Sequence, residues 1–593
     1  MTPDRPGPEP DATTVLPAYD STEVLPRVDA EAGPSAGYPI DAASAVTAEQ
    51  PLVTEEASAS VARSGAVMAM GSIISRVTGF VRTAAIGAAI GVYAIGDDYT
   101  VANTLPGMVY ELLLGGVLAS VVVPLIVRAR TRDADRGEAY AQRLLSLAAI
   151  FLAGATVVAV ICAPLFTAVL ANDKTTTDDR DLITALSHLL LPMIFFYGMA
   201  ALFAAVLNTR GHFAMPTFAP ILNNLVVIAM CSTFLLVPVI DEKDANSLSA
   251  SQVALLGLGT TLGIVVQTIG LWPALRRVGF RWRWRWDFRQ LHLRELGRVS
   301  TWMLVYVIAS QVSVVVVFKL ALRAADNAHD AAGPAIYNNA FLIFMMAHGI
   351  VAVSIITALM PRMAAAAAQH RNAELVEHLS LGTRLVSVVL VPATVAYIVL
   401  CQPLAVSLFQ WGNYDHAAAK ATGWVIAFAG VGLVPFAISQ LQLFAFYAMP
   451  DTKTPALINI PVVILRIGID LLLFAVLAAT AVAAGLMVGN AVSFVVAAVI
   501  GYALLRRRVG RLGLTQVLGT LIRLGIAGVI AAVPTLIVLL VMRAVWGDGK
   551  WASVAELLVG AVVLVAVYAA AALMLRVREV HDLVGMVRGR LGR

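Results

Sequence analysis

Apolar runs long enough to cross a bilayer as helices, roughly 20 residues each, follow one another from residue 63 to residue 576. They fall at 63–92, 98–128, 143–171, 182–208, 216–240, 251–275, 297–323, 334–362, 380–408, 419–448, 454–477, 479–505, 516–543 and 552–576. A membrane barrel would instead show short segments of alternating polarity. The pattern predicts an all-α, polytopic membrane protein with about fourteen transmembrane helices. The connections alternate in charge. Loop 128–143 carries Arg128, Arg130, Arg132, Arg136 and Arg143; loop 276–298 is richer still in arginine, and 506–511 adds Arg506, Arg507, Arg508 and Arg511. Connections of the other parity hold Asp97 and Asp98, Asp173 to Asp181, and Asp241, Glu242 and Asp244. The positive-inside rule places the basic set in the cytoplasm. Both termini are then expected to be cytoplasmic, in a multi-pass protein of the inner (plasma) membrane.

Composition sharpens this reading. The chain is 59% hydrophobic and 13% charged, with a mean hydropathy of +0.82; soluble proteins carry about 25% charge. Residues 1–60 hold eleven acidic residues against Arg5 and Arg27, in a Pro-, Ala- and Ser-rich context that cannot bury enough apolar surface to offset its ordering entropy. A disordered, acidic cytoplasmic tail is expected there, without the layout of a signal peptide, and able to recruit cell-wall synthesis or regulatory proteins. The net charge of +5 is concentrated in loops, so it reflects membrane orientation and not nucleic-acid binding. Arg281 to Trp286 alternates arginine and tryptophan; such interleaving stacks on bases in some proteins, but between two spans it reads as an anchor at lipid headgroups. Cys162, Cys231 and Cys401 lie far apart in apolar runs, which predicts neither a disulfide framework nor a metal cluster. There is no P-loop motif, so ATP hydrolysis by this chain is not expected.

A faint repeat divides the chain. Ala214-Met215-Pro216, followed by Pro220-Ile221-Leu222-Asn223, is echoed by Ala448-Met449-Pro450, followed by Pro455 to Asn459. The stretches open the fifth and eleventh runs, six runs apart. Two six-helix bundles with two appended helices follow, as in transporters built from internal repeats. The expected layout is a tail at 1–60, an N-lobe at 61–275, a basic and aromatic linker at 276–296, a C-lobe at 297–510, two further helices at 511–577 and a basic tail at 578–593.

Charges inside the spans cost at least about 2.5–3.5 kcal/mol at a helix centre and so tend to line cavities. Arg76 and Arg82, beside Ser75 in the first run, are separated by about 600° of helical rotation, which allows them to flank one cavity from neighbouring faces. Glu111 in the second run is positioned to meet one of them. Arg466 and Asp470 form an i, i+4 pair that reads either as a structural ion pair or as a site for a coupling cation. Lys319 and Arg323 are placed to snorkel at a membrane interface. His348, Gln440 and Gln442 read as interhelical hydrogen-bonding groups. A guanidinium presents a fixed fork of donors that suits phosphate, so cavity-facing arginines point to an amphiphile with a diphosphate head.

The segments GSIISRVTGFVRTAAIG, GDDYTVANTLPGMVYELLLGGVLASVVVPL, LNTRGHFAMPTFAPILNN, VSIITALMPRMA, SLFQWGN and FYAMPDTKTPALINI together resemble the MurJ/MviN family. These are the lipid II flippases of the multidrug/oligosaccharidyl-lipid/polysaccharide exporter superfamily, here in an actinobacterial type of wording. The resemblance implies a two-lobed bundle with a cationic cavity and alternating access. It also implies lipid II, an undecaprenyl-diphosphate-linked muropeptide, as substrate, moved from the cytoplasmic to the periplasmic leaflet without covalent chemistry. Arg76, Arg82 and Ser75 match the family's substrate-binding positions, and Asp97 its acidic residue after the first helix, with a gating role shared by Glu111. Two departures stand out: Tyr110 and Glu111 follow Leu105-Pro106 where many members carry arginine, and Phe341 to Met345 is apolar where many carry Arg and Glu. No cofactor is implied; a coupling cation or the membrane potential, about 2.3 kcal/mol per charge per 100 mV, are the candidate energy sources. The rival readings are an exporter of another polyprenyl-linked glycan or a drug, and a membrane glycosyltransferase, which the short outer loops disfavour.

Overall fold

The computed structural model describes residues 55–114, 123–132, 135, 137–234, 236–237, 239–241, 243–291, 293–328 and 331–581. The acidic tail up to residue 54 and the basic tail from residue 582 lie outside the described residues. The chain divides into a leading unit, residues 1–61, and one compact unit, residues 62–593, which holds all the packing described below.

Every regular element among the described residues is helical, as lipid requires of a chain that must satisfy its backbone polar groups within each span. The first half runs α1 (Glu55–Ile90), α2 (Ala94–Leu114), α3 (Val123–Arg132), α4 (Glu138–Ile161), α5 (Ala163–Leu170), α6 (Thr177–Leu190), α7 (Met193–Thr209), α8 (Ala214–Thr233), α9 (Ala250–Gly270) and α10 (Trp272–Arg277). The second half runs α11 (Leu293–Asn327), α12 (Pro334–Ala368), α13 (Asn372–Val399), α14 (Cys401–Phe409), α15 (His416–Val431), α16 (Leu433–Ala448), α17 (Lys453–Val476) and α18 (Val482–Val509). Two more, α19 (Leu514–Trp546) and α20 (Lys550–Met574), complete the chain.

Among the described residues twelve helical stretches are long and apolar enough to cross a membrane, and the pair α15 and α16, bent by 47° at Gly432, makes a thirteenth when taken as one span. The remaining predicted run, 98–128, corresponds to α2 and α3, with residues 115–122 outside the described residues. Asp97, Asp98 and Glu111 all fall in α2, which lowers its hydropathy below that of the other spans.

Within the first half α6, α7 and α8 pack on α9; within the second, α12, α13, α15, α16 and α18 pack together. Helices α19 and α20 pair with each other and lie against α13 and α14. The halves meet where α2 crosses α11 and α12. Capping boxes at Thr176/Asp179 and Ser249/Gln252 start α6 and α9 at one end of the bundle, by satisfying backbone donors that have no partner within the helix. This end, with Asp97, Asp98, Asp179 and Asp326, is called the acidic end; the end with Arg276, Arg277 and Arg506 to Arg508 is the basic end.

The internal repeat has a structural counterpart. Asn224 Nδ2 on α8 donates to the Ser75 carbonyl at 3.2 Å and to Thr78 Oγ1 at 3.0 Å on α1. Asn459 Nδ2 on α17 donates to the Tyr306 carbonyl at 3.0 Å and to Ser310 Oγ at 2.9 Å on α11. Each asparagine stands four residues after a proline, Pro220 or Pro455, and each grips the first helix of its own half. The equivalent of Asn459 is therefore Asn224, one position beyond the residue that the sequence comparison paired with it.

Candidate functional site

Helix α1 leaves an apolar stripe uncovered: Ile73, Val77 and Val81 are 51%, 50% and 44% exposed. Arg76 and Arg82 lie off that stripe. The Arg76 guanidinium is packed against Gly349 of α12, so closely that a Cβ there would collide with it. Phe80, on a neighbouring face, meets Phe409 edge-on at 5.5 Å. Arg82 turns the other way, towards the first half, within electrostatic reach of Tyr99, Tyr197 and Cys231. Its Nε is buried without a hydrogen-bond partner. Among the described residues neither guanidinium has an ion pair; the nearest polar contacts of α1 are the Asn224 bonds at Ser75 and Thr78. The Ser75 carbonyl is thus occupied by Asn224, which fixes the helix one residue from Arg76.

A largely buried aromatic wall lies along α12, the helix that meets Arg76 at Gly349. Tyr337 stacks on Phe341 at 6.3 Å, Phe341 on Phe344 at 5.6 Å, and Phe344 meets Phe436 and Phe494. His348 ends this wall against Phe436 at 4.5 Å, with its Nδ1 unpartnered, so the interhelical hydrogen bond expected of it is not formed at that atom. The apolar departure noted at Phe341 to Met345 therefore builds a continuous ring stack in place of charges.

At the acidic end the halves are tied together. Asp97 Oδ1 accepts from the Ala335 N–H at 2.7 Å, in the first turn of α12, where a carboxylate also complements the helix dipole. Asp326 of α11 accepts from Asn172 and Thr175, both at 2.8 Å, and Lys319 donates to the Val169 carbonyl at 3.0 Å. Asn413 donates through its backbone N–H to the Ala88 carbonyl at 2.9 Å and through its side chain to the Ala89 carbonyl at 2.8 Å. Among the described residues the hydrogen bonds between halves cluster here. Beside them lies a cavity of about 250 Å³ lined by Asp97, Asp98, Asp179, Asp326, Lys174 and Lys243. No group of described side chains there or elsewhere is arranged to hold a metal ion.

Two expected site residues stand apart. Glu111 is exposed and has no ion pair with Arg76 or Arg82 among the described residues; it lies more than three turns of α2 beyond the Asp97 contact. Lys319 belongs to the seam at the acidic end and not to the space between the arginines. Arg466 and Asp470 do pair, at 3.6 Å, with the Asp470 side chain fully buried. Tyr337 lies beside them, accepting from Asn490 at 2.7 Å and from Arg466 at 3.5 Å. Asn224, Gly333, Ala335 and Gly349 escaped the sequence reading. For Asn224 a signal existed, an amide recurring in two apolar repeats; a backbone N–H and two glycines leave none.

A helical membrane bundle of two repeat-related halves, tied at one end around buried polar groups, is the architecture of an alternating-access carrier. The sequence model of the lipid II flippase MurJ family matches residues 86–562, and the chain belongs to that family. A probable lipid II flippase MurJ of Haemophilus influenzae is 24% identical over 421 residues, covering 68% of this chain and 78% of the relative. The lipid II flippase MurJ of Burkholderia cenocepacia is 26% identical over 401 residues, covering 66% and 74%. In fold, the chain is similar to a solved structure of lipid II flippase MurJ in an inward closed conformation, with a TM-score of 0.67 at 15% identity over 87% of this chain and 99% of that one. An inward-facing multidrug transporter of the MATE family superposes with a TM-score of 0.58 at 17% identity, covering 74% and 95%.

Proposed function

We propose that this chain carries lipid II, an undecaprenyl-diphosphate-linked peptidoglycan precursor, from the cytoplasmic to the periplasmic leaflet, and that it makes and breaks no covalent bond in doing so. The observation that carries the reading is the Arg76 and Arg82 guanidiniums of α1, held off the exposed stripe and without acidic partners among the described residues. A cation held within a membrane span without a counter-ion is costly, and a diphosphate supplies one, with bidentate geometry. Arg76 and Arg82 bind the diphosphate; Ser75 sets the position of Arg76 through its carbonyl bond to Asn224. The basic end faces the cytoplasm, in keeping with the positive-inside rule, and both termini lie there. The lobes are residues 61–275 and 297–510. The test is a leaflet-accessibility assay for lipid II in cells depleted of this protein: outer-leaflet precursor should fall as the protein is lost. Its appearance at an undiminished rate would overturn the assignment.

Asp97 is the gate residue in this reading. Its bond to the Ala335 N–H joins the halves at the end that must open for release. A hydrogen bond contributes about 0.5–1.5 kcal/mol net, so Asp97→Ala should shift the balance towards opening at the acidic end severalfold, up to roughly tenfold. Gly333→Ala is the companion variant, since its Cβ would run into the Asp97 carboxylate. Labelling of a cysteine placed in the acidic-end cavity should rise in both; unchanged labelling would remove the gate from the mechanism.

A further inference from the structure

The strap between α10 and α11 forms a second cationic feature, apart from α1. Gly279 turns the chain with φ +76° after α10, in the left-handed region that favours glycine. Residues 280–287 then run without regular secondary structure. The indoles of Trp282, Trp284 and Trp286 follow one another at successive centroid distances of 5.1 and 6.3 Å. Arg281, Arg283 and Arg285 alternate with them along the chain, and Arg285 Nε donates to Gln142 Oε1 of α4 at 2.8 Å.

The strap is folded back along α4. Trp282 Nε1 donates to Ser146 Oγ at 3.3 Å, the Arg285 N–H to the same oxygen at 3.1 Å, and Gln142 Nε2 to the Arg281 carbonyl at 2.7 Å. Ser146 is about 12 Å along α4 from its first residue. The span Ala250–Arg277 has 28 residues, about 42 Å of helix, which matches a bilayer including its headgroups, about 40–45 Å. The strap therefore sits at headgroup depth and not out in the water. Trp284 and Trp286 are 56% and 72% exposed, a position that suits indoles at a membrane interface.

Between α10 and the strap lies a pocket of about 470 Å³. Trp272, Phe280 and Trp282 give it an aromatic floor, and Arg276, Arg281 and Arg283 form its rim. Among the described residues no acidic side chain lines it. The nearby carboxylate, Asp287, is taken by Arg143 at 2.7 Å. That hydrogen bond holds the Asp287 carboxyl below the usual carboxylate range. Among the described residues the three rim arginines have no ion pair.

We propose that this pocket binds the phosphate of an anionic phospholipid in the leaflet at the basic end. Guanidiniums meet the phosphate oxygens, while the glycerol backbone rests on the indole floor and the acyl chains pass into the bilayer beside α4. The assignment to the cytoplasmic leaflet rests on the orientation proposed above; the binding itself does not.

The test uses the full-length chain in lipid nanodiscs without precursor, so its result is independent of transport. Retention of phosphatidylglycerol is read by native mass spectrometry against phosphatidylcholine. The wild-type chain should retain phosphatidylglycerol preferentially, and the triple variant Arg276→Gln, Arg281→Gln, Arg283→Gln should lose at least tenfold of that preference. Arg277→Gln, a neighbouring exposed arginine outside the pocket, should retain it and reports on folding. Equal retention by the triple variant and the wild type overturns the proposal. So does displacement of the lipid by millimolar inorganic phosphate, which would mark a soluble-anion site. Loss of added lipid II binding in the triple variant with phosphatidylglycerol retention intact would mark a substrate-capture site and overturn it as well.

Discussion

Cells that rely on Arg76→Ala as their only copy of this protein are expected to accumulate lipid II and to stop building wall. The guanidinium of Arg76 lies between the halves with no acidic partner among the described residues, so in the proposed cycle its removal would deprive the diphosphate of a charge-assisted fork. At about 1.5–3 kcal/mol for each hydrogen bond to a charged group, the loss is on the order of ten- to a hundredfold in substrate binding for each bond lost. Arg76→Lys keeps the charge but not the planar fork, and should recover only part of the activity. Gly349→Ala provides the control for folding. Its Cβ would meet the far end of the Arg76 side chain and not backbone, so the helices remain packed while the guanidinium is displaced. Transport should fall in this variant although its melting temperature is held. Normal transport in Arg76→Ala cells would remove the cationic site from the mechanism.

The second large effect is expected at Asp470. Its carboxylate is fully buried 3.6 Å from Arg466, and neither oxygen has a hydrogen bond. Replacing Asp470 by Ala leaves Arg466 without its counter-ion in a low-dielectric setting, which costs about 3–5 kcal/mol. Replacing both, Arg466→Met with Asp470→Leu, should be close to neutral. Thermal unfolding of the purified protein distinguishes the two designs. A drop in melting temperature for the single variant and recovery in the double mark a structural pair. If Asp470→Ala melts unchanged but transport loses its dependence on an added cation, the pair serves coupling instead.

The bundle was readable in the chain because lipid permits few solutions: long apolar runs, alternating loop charge and an echo of proline and asparagine. The arginines of α1 were readable for a related reason, since a charge in such a run stands out against its cost. What stayed hidden depends on partners far away in sequence. The Asp97 contact joins residues 238 positions apart and ends on a backbone N–H, a group that every residue other than proline carries. Glu111 looked like a partner for α1 because spacing along one helix cannot say which neighbour the helix turns towards. The aromatic wall from Tyr337 to His348 was visible as composition, but its stacking comes from α16 and α18 meeting α12.

The paired asparagine grips have one more implication. Asn224 and Asn459 hold the leading helix of each half in the same way, so the duplicated framework is close to even-handed. The charge hung on it is not: the stretch of α1 around the Asn224 grip carries Arg76 and Arg82, whereas the stretch of α11 held by Asn459 is uncharged from Val307 to Phe318. In the proposed cycle a bound anion would consequently travel as cargo of one arm, moving with α1 as the arms swing.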